Sequence, residues 1–149
     1  MSIQSKLLDD MKAALKSGDK IRLETIRGLR SQLKNSEIEK GEALTQDDEI
    51  QVLMTASKRR KESIEQFKAG QRFDRAAEEQ KELEIIQEYL PQQMTEQEIL
   101  SLVDVVITEL SATSASDMGK VMGKIMPQVK GRADGKIIQK IVQQKLAAL

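Results

Sequence analysis

The sequence PQQMTEQE at residues 91–98 divides the chain and decides its fold. Proline cannot continue a helix, because it lacks the backbone N–H and its ring clashes with the preceding turn. Thr95 and Glu98 then form the Thr-x-x-Glu pattern of a capping box, which is typical of a helix N-terminus. The stretch therefore predicts the end of one helix, a short link and the start of the next. We expect a first domain at residues 1–92 and a second at residues 93–149.

On the N-terminal side of this stretch, apolar residues recur every three or four positions, which is the pattern of amphipathic helices. Four helices are expected there. The first stops near Gly18, the second near Gly41 and the third near Gly70, and the fourth ends at Leu90, before Pro91. Since the second and third helices exceed twenty residues and the turns are short, we expect an elongated region of antiparallel helical hairpins.

On the C-terminal side, the same spacing predicts three shorter helices. The first begins at the Thr95 cap, the second after a capping pattern of Ser114 and Asp117, and the third after Asp134. No alternation of apolar and polar residues predicts a strand. The predicted fold class is all-α, with an elongated hairpin region followed by a compact three-helix bundle.

The composition limits the chemistry that the chain can carry. Its 149 residues include no His and no Cys, which excludes an imidazole base, a thiol nucleophile and a thiolate metal site. Acidic pairs such as Asp9 and Asp10 are adjacent in sequence and diverge on a helix. We therefore expect no catalytic residues, no metal and no cofactor, although an enzyme based on carboxylates or on Ser and Lys stays open.

No segment approaches the about 20 apolar residues that a membrane-spanning helix needs. Residues 1–15 contain Asp9 and Asp10 and lack the apolar run of a signal peptide. From these two observations we expect a cytoplasmic protein without a membrane partner.

Charge is unevenly placed along a chain whose net charge is zero. Residues 94–116 hold four acidic and no basic residues, whereas residues 117–149 hold seven basic and two acidic ones. A basic loop before the last helix would favour an anion, because exposed helix amides carry partial positive charge. A solvated basic surface would have the same composition. The candidate nucleic-acid-binding residues are Lys120, Lys124, Lys130, Arg132, Lys136 and Lys140.

Gly119 and Gly123 lie four residues apart and so on one helix face, although each costs a helix about 1 kcal/mol relative to alanine. Either they allow close packing of a neighbouring helix, or they leave bare backbone for RNA or a partner helix. Gly131 is a third candidate for close approach. The spacing does not match the phosphate loop G-x-x-x-x-G-K-[ST], so ATP binding is not predicted.

A second group of basic residues, Arg27, Arg30 and Lys34, falls on one face of the second helix. A third occupies residues 58–61. Acidic residues are interleaved with both groups, so we interpret them as solvated, ion-paired helix surface. They would extend an RNA-binding surface only if they line up with the basic residues of the C-terminal part.

The chain resembles the YqeY family of small bacterial proteins over essentially its full length. The resemblance rests on four stretches. They are LDDMKAA at residues 8–14, KRRKES at 58–63, EYLPQQ at 88–93, and DMGKVMG at 117–123 continuing to KGRADG at 130–135. The last stretch is similar to the tail of GatB, a subunit of the tRNA-dependent amidotransferase.

The resemblance implies a role beside tRNA, because the related tail helps to hold tRNA while the chemistry occurs elsewhere in that enzyme. It also implies a family label of carbon–nitrogen ligase activity with glutamine as amido donor. We expect a non-catalytic module that binds tRNA or associates with a tRNA-charging or tRNA-amidating enzyme. The alternatives are an amidotransferase component and an adaptor whose long hairpin binds a helical protein partner.

Overall fold

The computed structural model describes residues 2–149, and this part of the chain contains helices and no β-strand. The prediction of an all-α fold is confirmed. The helices are α1 (Ile3–Ser17), α2 (Lys20–Lys40), α3 (Gln46–Ala69), α4 (Phe73–Gln87), α5 (Glu96–Glu109), α6 (Met118–Ile125) and α7 (Gly135–Ala147). Short 3-10 turns precede and follow α6, at Ala115–Asp117 and Met126–Gln128. The chain forms two compact units, a first that ends at Pro91 and a second that spans Gln92–Leu149.

Local sequence signals set the helix ends of the first unit. Helices α1 and α2 end at Gly18 and Gly41, as predicted, and the amides of these glycines bond back into the last helical turn. Helix α3 begins with the capping box of Thr45 and Asp48. Helix α4 ends at Gln87, earlier than predicted, and the chain continues to Pro91 in turns.

The core of the first unit is aliphatic and joins all four helices. Burying one large apolar side chain stabilises a fold by about 1.5–3 kcal/mol. The fully buried large side chains here are Leu7, Ile26, Leu33, Leu53 and Ile86. A smaller cluster of Ile64, Ala76 and Leu83 connects α3 and α4 away from the main core. These contacts hold the surfaces of α1 and α2 at fixed positions.

Glu49 is a buried carboxylate that connects two helices of the first unit. It is 3% exposed, and its Oε2 accepts a hydrogen bond of 2.8 Å from the backbone amide of Gln4. That amide belongs to the first turn of α1, where backbone N–H groups lack partners within the helix. The contact therefore caps α1 with a side chain from the first turn of α3.

The second unit buries the inner faces of α5, α6 and α7 around one core. Its fully buried side chains are Val103, Val106, Val121, Ile125, Val129, Ile138 and Val142. Thr95 accepts a hydrogen bond from the Glu98 amide, as predicted. The predicted capping box is only half formed, because the Glu98 carboxylate accepts from the Thr95 hydroxyl and lies near Arg132.

Candidate nucleic-acid interface

The loop between α6 and α7 has a fixed backbone. Gln93 Nε2 donates to the carbonyl of Gly131 at 2.7 Å, and the Met94 amide donates to the carbonyl of Arg132 at 2.9 Å. In return, Arg132 Nε donates to the carbonyl of Gln92 at 3.0 Å. The first residues of the second unit, Gln92 to Met94, therefore hold the basic loop. The contacts span 38 and 40 positions, and no local pattern of the sequence predicts them.

Gly131 fits this loop for a structural reason. It is buried and has a φ of 75°, in the left-handed region that residues with a Cβ rarely adopt. Its carbonyl is the acceptor of the Gln93 bond. The turn itself accounts for this glycine without a ligand.

Asp134 caps α7, as predicted, and its Oδ1 accepts a hydrogen bond of 3.0 Å from the Lys136 amide. A carboxylate is well placed there, because the helix dipole is positive at its N-terminus. Asp134 therefore takes the position at which sequence analysis expected an external anion. Any affinity of this region for anions depends on its basic side chains.

Gly119 and Gly123 face solvent. Both are exposed, and a Cβ atom added at either position would meet no atom within 4 Å. The buried residues of α6 are Val121 and Ile125, which lie on the other side of the helix. The packing interpretation of these two glycines is wrong, because no neighbouring helix of the described chain approaches them. They leave a strip of bare helix backbone on the surface.

Folding offsets much of the charge segregation seen along the sequence. The second unit as a whole, residues 92–149, holds seven basic and six acidic residues. Three basic side chains from the C-terminal half pair with acids of α5. The pairs are Lys124–Glu109 at 2.7 Å, Arg132–Glu98 at 3.8 Å and Lys145–Asp104 at 3.1 Å. Lys124 and Arg132 are thus partly neutralised within the protein.

The remaining candidates lie on exposed surface. Lys120 is on the outer side of α6 beside the two glycines, and Lys136 and Lys140 lie one turn apart on α7. Within residues 2–149, no carboxylate lies within 4 Å of the ammonium groups of these three lysines. Lys130 is exposed in the loop between the two helices.

An adaptor whose long hairpin binds a helical protein partner would expose apolar residues on α2 and α3. Ile21 and Ile38 of α2 are 41% and 67% exposed, but they lie near opposite ends of the helix. No large apolar side chain of α3 is exposed. The two long helices therefore present no continuous apolar stripe.

A polar cleft of about 410 Å³ in the first unit was missed by sequence reasoning. Its centre is Tyr89, which is 7% exposed and donates its hydroxyl to the Asp10 carboxylate. Burial and this hydrogen bond raise the pKa of Tyr89. Beside it, Arg22 pairs with Glu88 at 2.6 Å. Because these groups pair with one another, we interpret the cleft as a structural site whose hydrogen bond and ion pair hold the end of α4 against α1 and α2. The sequence signal that could have indicated this cleft was Tyr89, a polar aromatic residue between aliphatic residues that are typical of a core.

Two classes of site find no support in residues 2–149. No group of three or more acidic side chains is arranged to hold a metal ion. No described helix is long and apolar enough to cross a membrane.

A family model described as Yqey-like protein matches residues 4–146. The chain belongs to the YqeY family. This membership confirms the resemblance, which rested on stretches such as residues 88–93 and 130–135. Those two stretches contact each other through the Gln93–Gly131 bond.

Fungal proteins are among the curated relatives of this YqeY protein. The chain is 39% identical over 118 residues to "Altered inheritance of mitochondria protein 41, mitochondrial" of Lachancea thermotolerans, which covers 75% of this chain and 62% of the relative. The protein of the same name from Saccharomyces cerevisiae is 35% identical over 89 residues, or 59% of this chain and 48% of the relative. An uncharacterised Schizosaccharomyces pombe protein is 31% identical over 90 residues, or 60% of this chain and 70% of the relative.

The chain thus spans about half to three fifths of the length of the mitochondrial relatives that it matches. Their names contradict the expectation of a cytoplasmic protein. That expectation was wrong because it rested on the lack of an apolar leader and of a membrane segment. Neither absence distinguishes the cytoplasm from the interior of an organelle. YqeY membership gives no catalytic activity, and the names of the mitochondrial relatives give none.

Proposed function

We propose that this YqeY protein is a helical RNA-binding module without a catalytic centre of its own, and that tRNA is its ligand. The observation that carries the proposal is the outer surface of α6. There, two solvent-facing glycines leave bare backbone beside Lys120, whose ammonium has no carboxylate partner in the described chain. We call this surface, together with Lys136 and Lys140 of α7, the glycine–lysine surface.

The chemistry of this surface suits a phosphate backbone. When a protein binds a nucleic acid, its lysine side chains contact phosphates and displace counterions. This gives affinity without sequence selection. A helix without side chains at two successive turns lets a large ligand approach to the backbone. The choice of tRNA comes from the similarity of residues 117–135 to the amidotransferase tail.

The proposal of a non-catalytic module rests on the composition. Without His or Cys, the chain lacks the side chains that most often act as base or nucleophile near neutral pH. We therefore propose that any ligase chemistry with glutamine as amido donor belongs to a partner enzyme that also handles tRNA. An assay of the isolated chain with glutamine, ATP and misacylated tRNA should give no turnover.

The test of the surface is a charge-removal variant. K120Q/K136Q/K140Q should weaken binding of fluorescent tRNA at 50 mM salt by about tenfold or more, and lower the slope of log affinity against log salt by about 2–3. The matched control is K16Q/K61Q/K68Q, which removes three exposed lysines from the first unit. An equal loss of affinity in both variants would contradict the assignment of the site.

The glycines provide a test that does not change charge. G119A/G123A should stabilise the free protein, by up to about 1 kcal/mol per site, because both positions are helical and open. The same variant should weaken tRNA binding, because two methyl groups would stand between the backbone and the ligand. A stabilised protein with unchanged tRNA affinity would show that RNA does not approach this face.

A further inference from the structure

A polar groove of about 740 Å³ lies between α1 and α2 in the first unit. Three basic residues of α2 line it, namely Arg27, Arg30 and Lys34. Among residues 2–149 the lining includes a single carboxylate, Glu37. That carboxylate accepts a hydrogen bond of 3.2 Å from Gln4 across the groove. The groove therefore carries an excess of positive charge that its own lining does not offset.

Two of the three cations have no acidic partner in the part of the chain that the structure describes. Arg30 is half-buried, and its Nη1 contacts the thioether sulfur of Met11 at 3.1 Å instead of a carboxylate. Lys34 is exposed, and no carboxylate of the described chain lies within 4 Å of its ammonium. Only Arg27 has an ion pair, a 3.2 Å contact with Glu24 in which both side chains are more than half exposed. Exposed pairs of this kind are weak and open readily.

Other cations of the first unit are paired more closely. Arg60 contacts both Glu79 and Glu82 at about 3 Å, and Lys40 contacts Asp48 at 2.6 Å. By contrast, Arg30 and Lys34 lie four residues apart, where like charges destabilise a helix. The interpretation of these residues as ion-paired surface is therefore wrong for Arg30 and Lys34. Repulsion between these cations destabilises the free protein, and a bound anion would offset that repulsion.

The neutral lining of the groove adds hydrogen-bond donors of the kind that contact phosphates. Ser5 of α1 and Ser31 and Asn35 of α2 line it beside the cations. Hydroxyl and amide side chains, together with Arg and Lys, make most protein contacts to phosphate oxygens. An arginine fork can also bind two oxygens of one phosphate at once.

We propose that this groove is a second RNA-binding site, which holds backbone phosphates through Arg27, Arg30 and Lys34. Recognition is independent of base sequence, because no aromatic residue of the described chain lines the groove and bases would have no surface on which to stack. An acidic peptide is disfavoured, because Leu8 is the sole large apolar side chain that residues 2–149 contribute to the lining, and it gives little anchor for a protein partner. The choice of RNA as the source of the phosphates rests on the proposed function.

The test uses the 149-residue chain and fluorescent tRNA. R30Q/K34Q should weaken binding at 50 mM salt by about threefold or more and lower the log–log salt slope by about 1–2, since two phosphate contacts are lost. The matched control, K61Q/K68Q, removes two exposed lysines of α3 and should leave both quantities near wild type. If R30Q/K34Q alters the fold by losing the Arg30–Met11 contact, K34Q alone should show about half the change in slope.

The outcomes separate this inference from the proposed function. Loss of affinity in K120Q/K136Q/K140Q but not in R30Q/K34Q would overturn the groove and leave the glycine–lysine surface standing. The reverse result would support the groove and overturn that surface. If wild type binds no tRNA, both proposals fall as claims about RNA.

A titration with inorganic tripolyphosphate tests the phosphate site of the groove without RNA. Titrated into the ¹⁵N-labelled chain, it should shift the amide resonances of Ser31 and Asn35 in wild type and much less in R30Q/K34Q. Shifts in wild type without an effect of R30Q/K34Q on tRNA affinity would overturn RNA as the ligand. Absence of shifts at Ser31 and Asn35 would overturn the phosphate site itself.

Discussion

Gly131 is the residue at which a structural role and a ligand-binding role can be told apart. Its φ of 75° places it in the left-handed region, and it is buried with its carbonyl bonded to Gln93. We predict that Gly131→Ala lowers the free energy of unfolding by about 1–2 kcal/mol, because a Cβ is strained in this conformation. Urea denaturation followed by circular dichroism measures this change.

Gly119→Ala is the matched control for that prediction. It is the same substitution in the same unit, but Gly119 is helical with open space around it, so the change in stability should have the opposite sign. If Gly131→Ala leaves stability unchanged and instead weakens tRNA binding, the sequence interpretation of Gly131 as a close-approach residue would be the better one.

Single residues were predictable from sequence where the cause is local. Gly18, Gly41 and the cap at Asp134 depend on neighbours within four residues, and the structure confirms all three. The contact of Gln93 with Gly131 spans 38 positions and has no local signature. The sequence therefore indicated a basic loop but not what holds it.

At the scale of the element, the N-terminus of α3 is stabilised by one ionised side chain. Asp48 Oδ2 lies 2.6 Å from Lys40 Nζ and accepts the Thr45 amide at 2.9 Å. These contacts, Lys40 first, lower the pKa of Asp48 to about 2, and they favour the ionised form. The unfolded chain therefore binds more protons than the folded one between about pH 2 and the ordinary pKa of this carboxyl.

The predicted consequence is a pH-dependent effect of Asp48→Asn. The variant should be less stable than wild type at pH 7, and the difference in free energy of unfolding should shrink as the pH falls from about 4 towards about 2. Urea denaturation at pH 7, 4 and 3 tests this. Glu96→Gln is the matched control, because Glu96 lies in the first turn of α5 and forms no ion pair with any described residue. A difference that stays constant with pH would mean that the charge of Asp48 contributes nothing.

The orientation of α6 was within reach of the sequence. Val121 and Ile125 define its buried face, and helical spacing alone places Gly119 and Gly123 away from that face. What the sequence could not show was the position of α5, whose acids pair with Lys124 and Arg132. Charge segregation along a chain indicates segregation in space only when the oppositely charged elements do not pack together.

Apolar spacing predicted the inner helix faces well in the middle of each element and less well at the ends. Leu15, Leu110 and Leu149 continue the apolar pattern of α1, α5 and α7, but they are 51%, 37% and 67% exposed. Each lies in the last turn of its helix or beyond it, where fewer neighbours can cover a side chain. The periodicity of a sequence gives a direction around the helix axis, and it does not give the length over which a partner is present.

At the scale of the whole molecule, the buried apolar residues form separate clusters. The main core of the first unit and the core of the second share no residue, and each is built from the helices of its own unit. The boundary between the units follows Pro91, within the stretch that also starts the contacts to the α6–α7 loop. Composition and apolar spacing predict such cores. They do not predict the cellular compartment, because the packing of a core does not depend on it.

Separate cores predict separate responses to a core substitution. Ile138 is fully buried in the second core, and Ile138→Val should lower stability by about 0.5–1.5 kcal/mol through lost burial and the small cavity left behind. In native-state hydrogen exchange, the loss of protection should be confined to amides of α5, α6 and α7. Ile26→Val, at an equally buried position of the first core, should affect amides of α1–α4 instead. Equal losses throughout the chain in either variant would show that the protein unfolds as one cooperative body, because a substitution then lowers the stability of every element that opens with it.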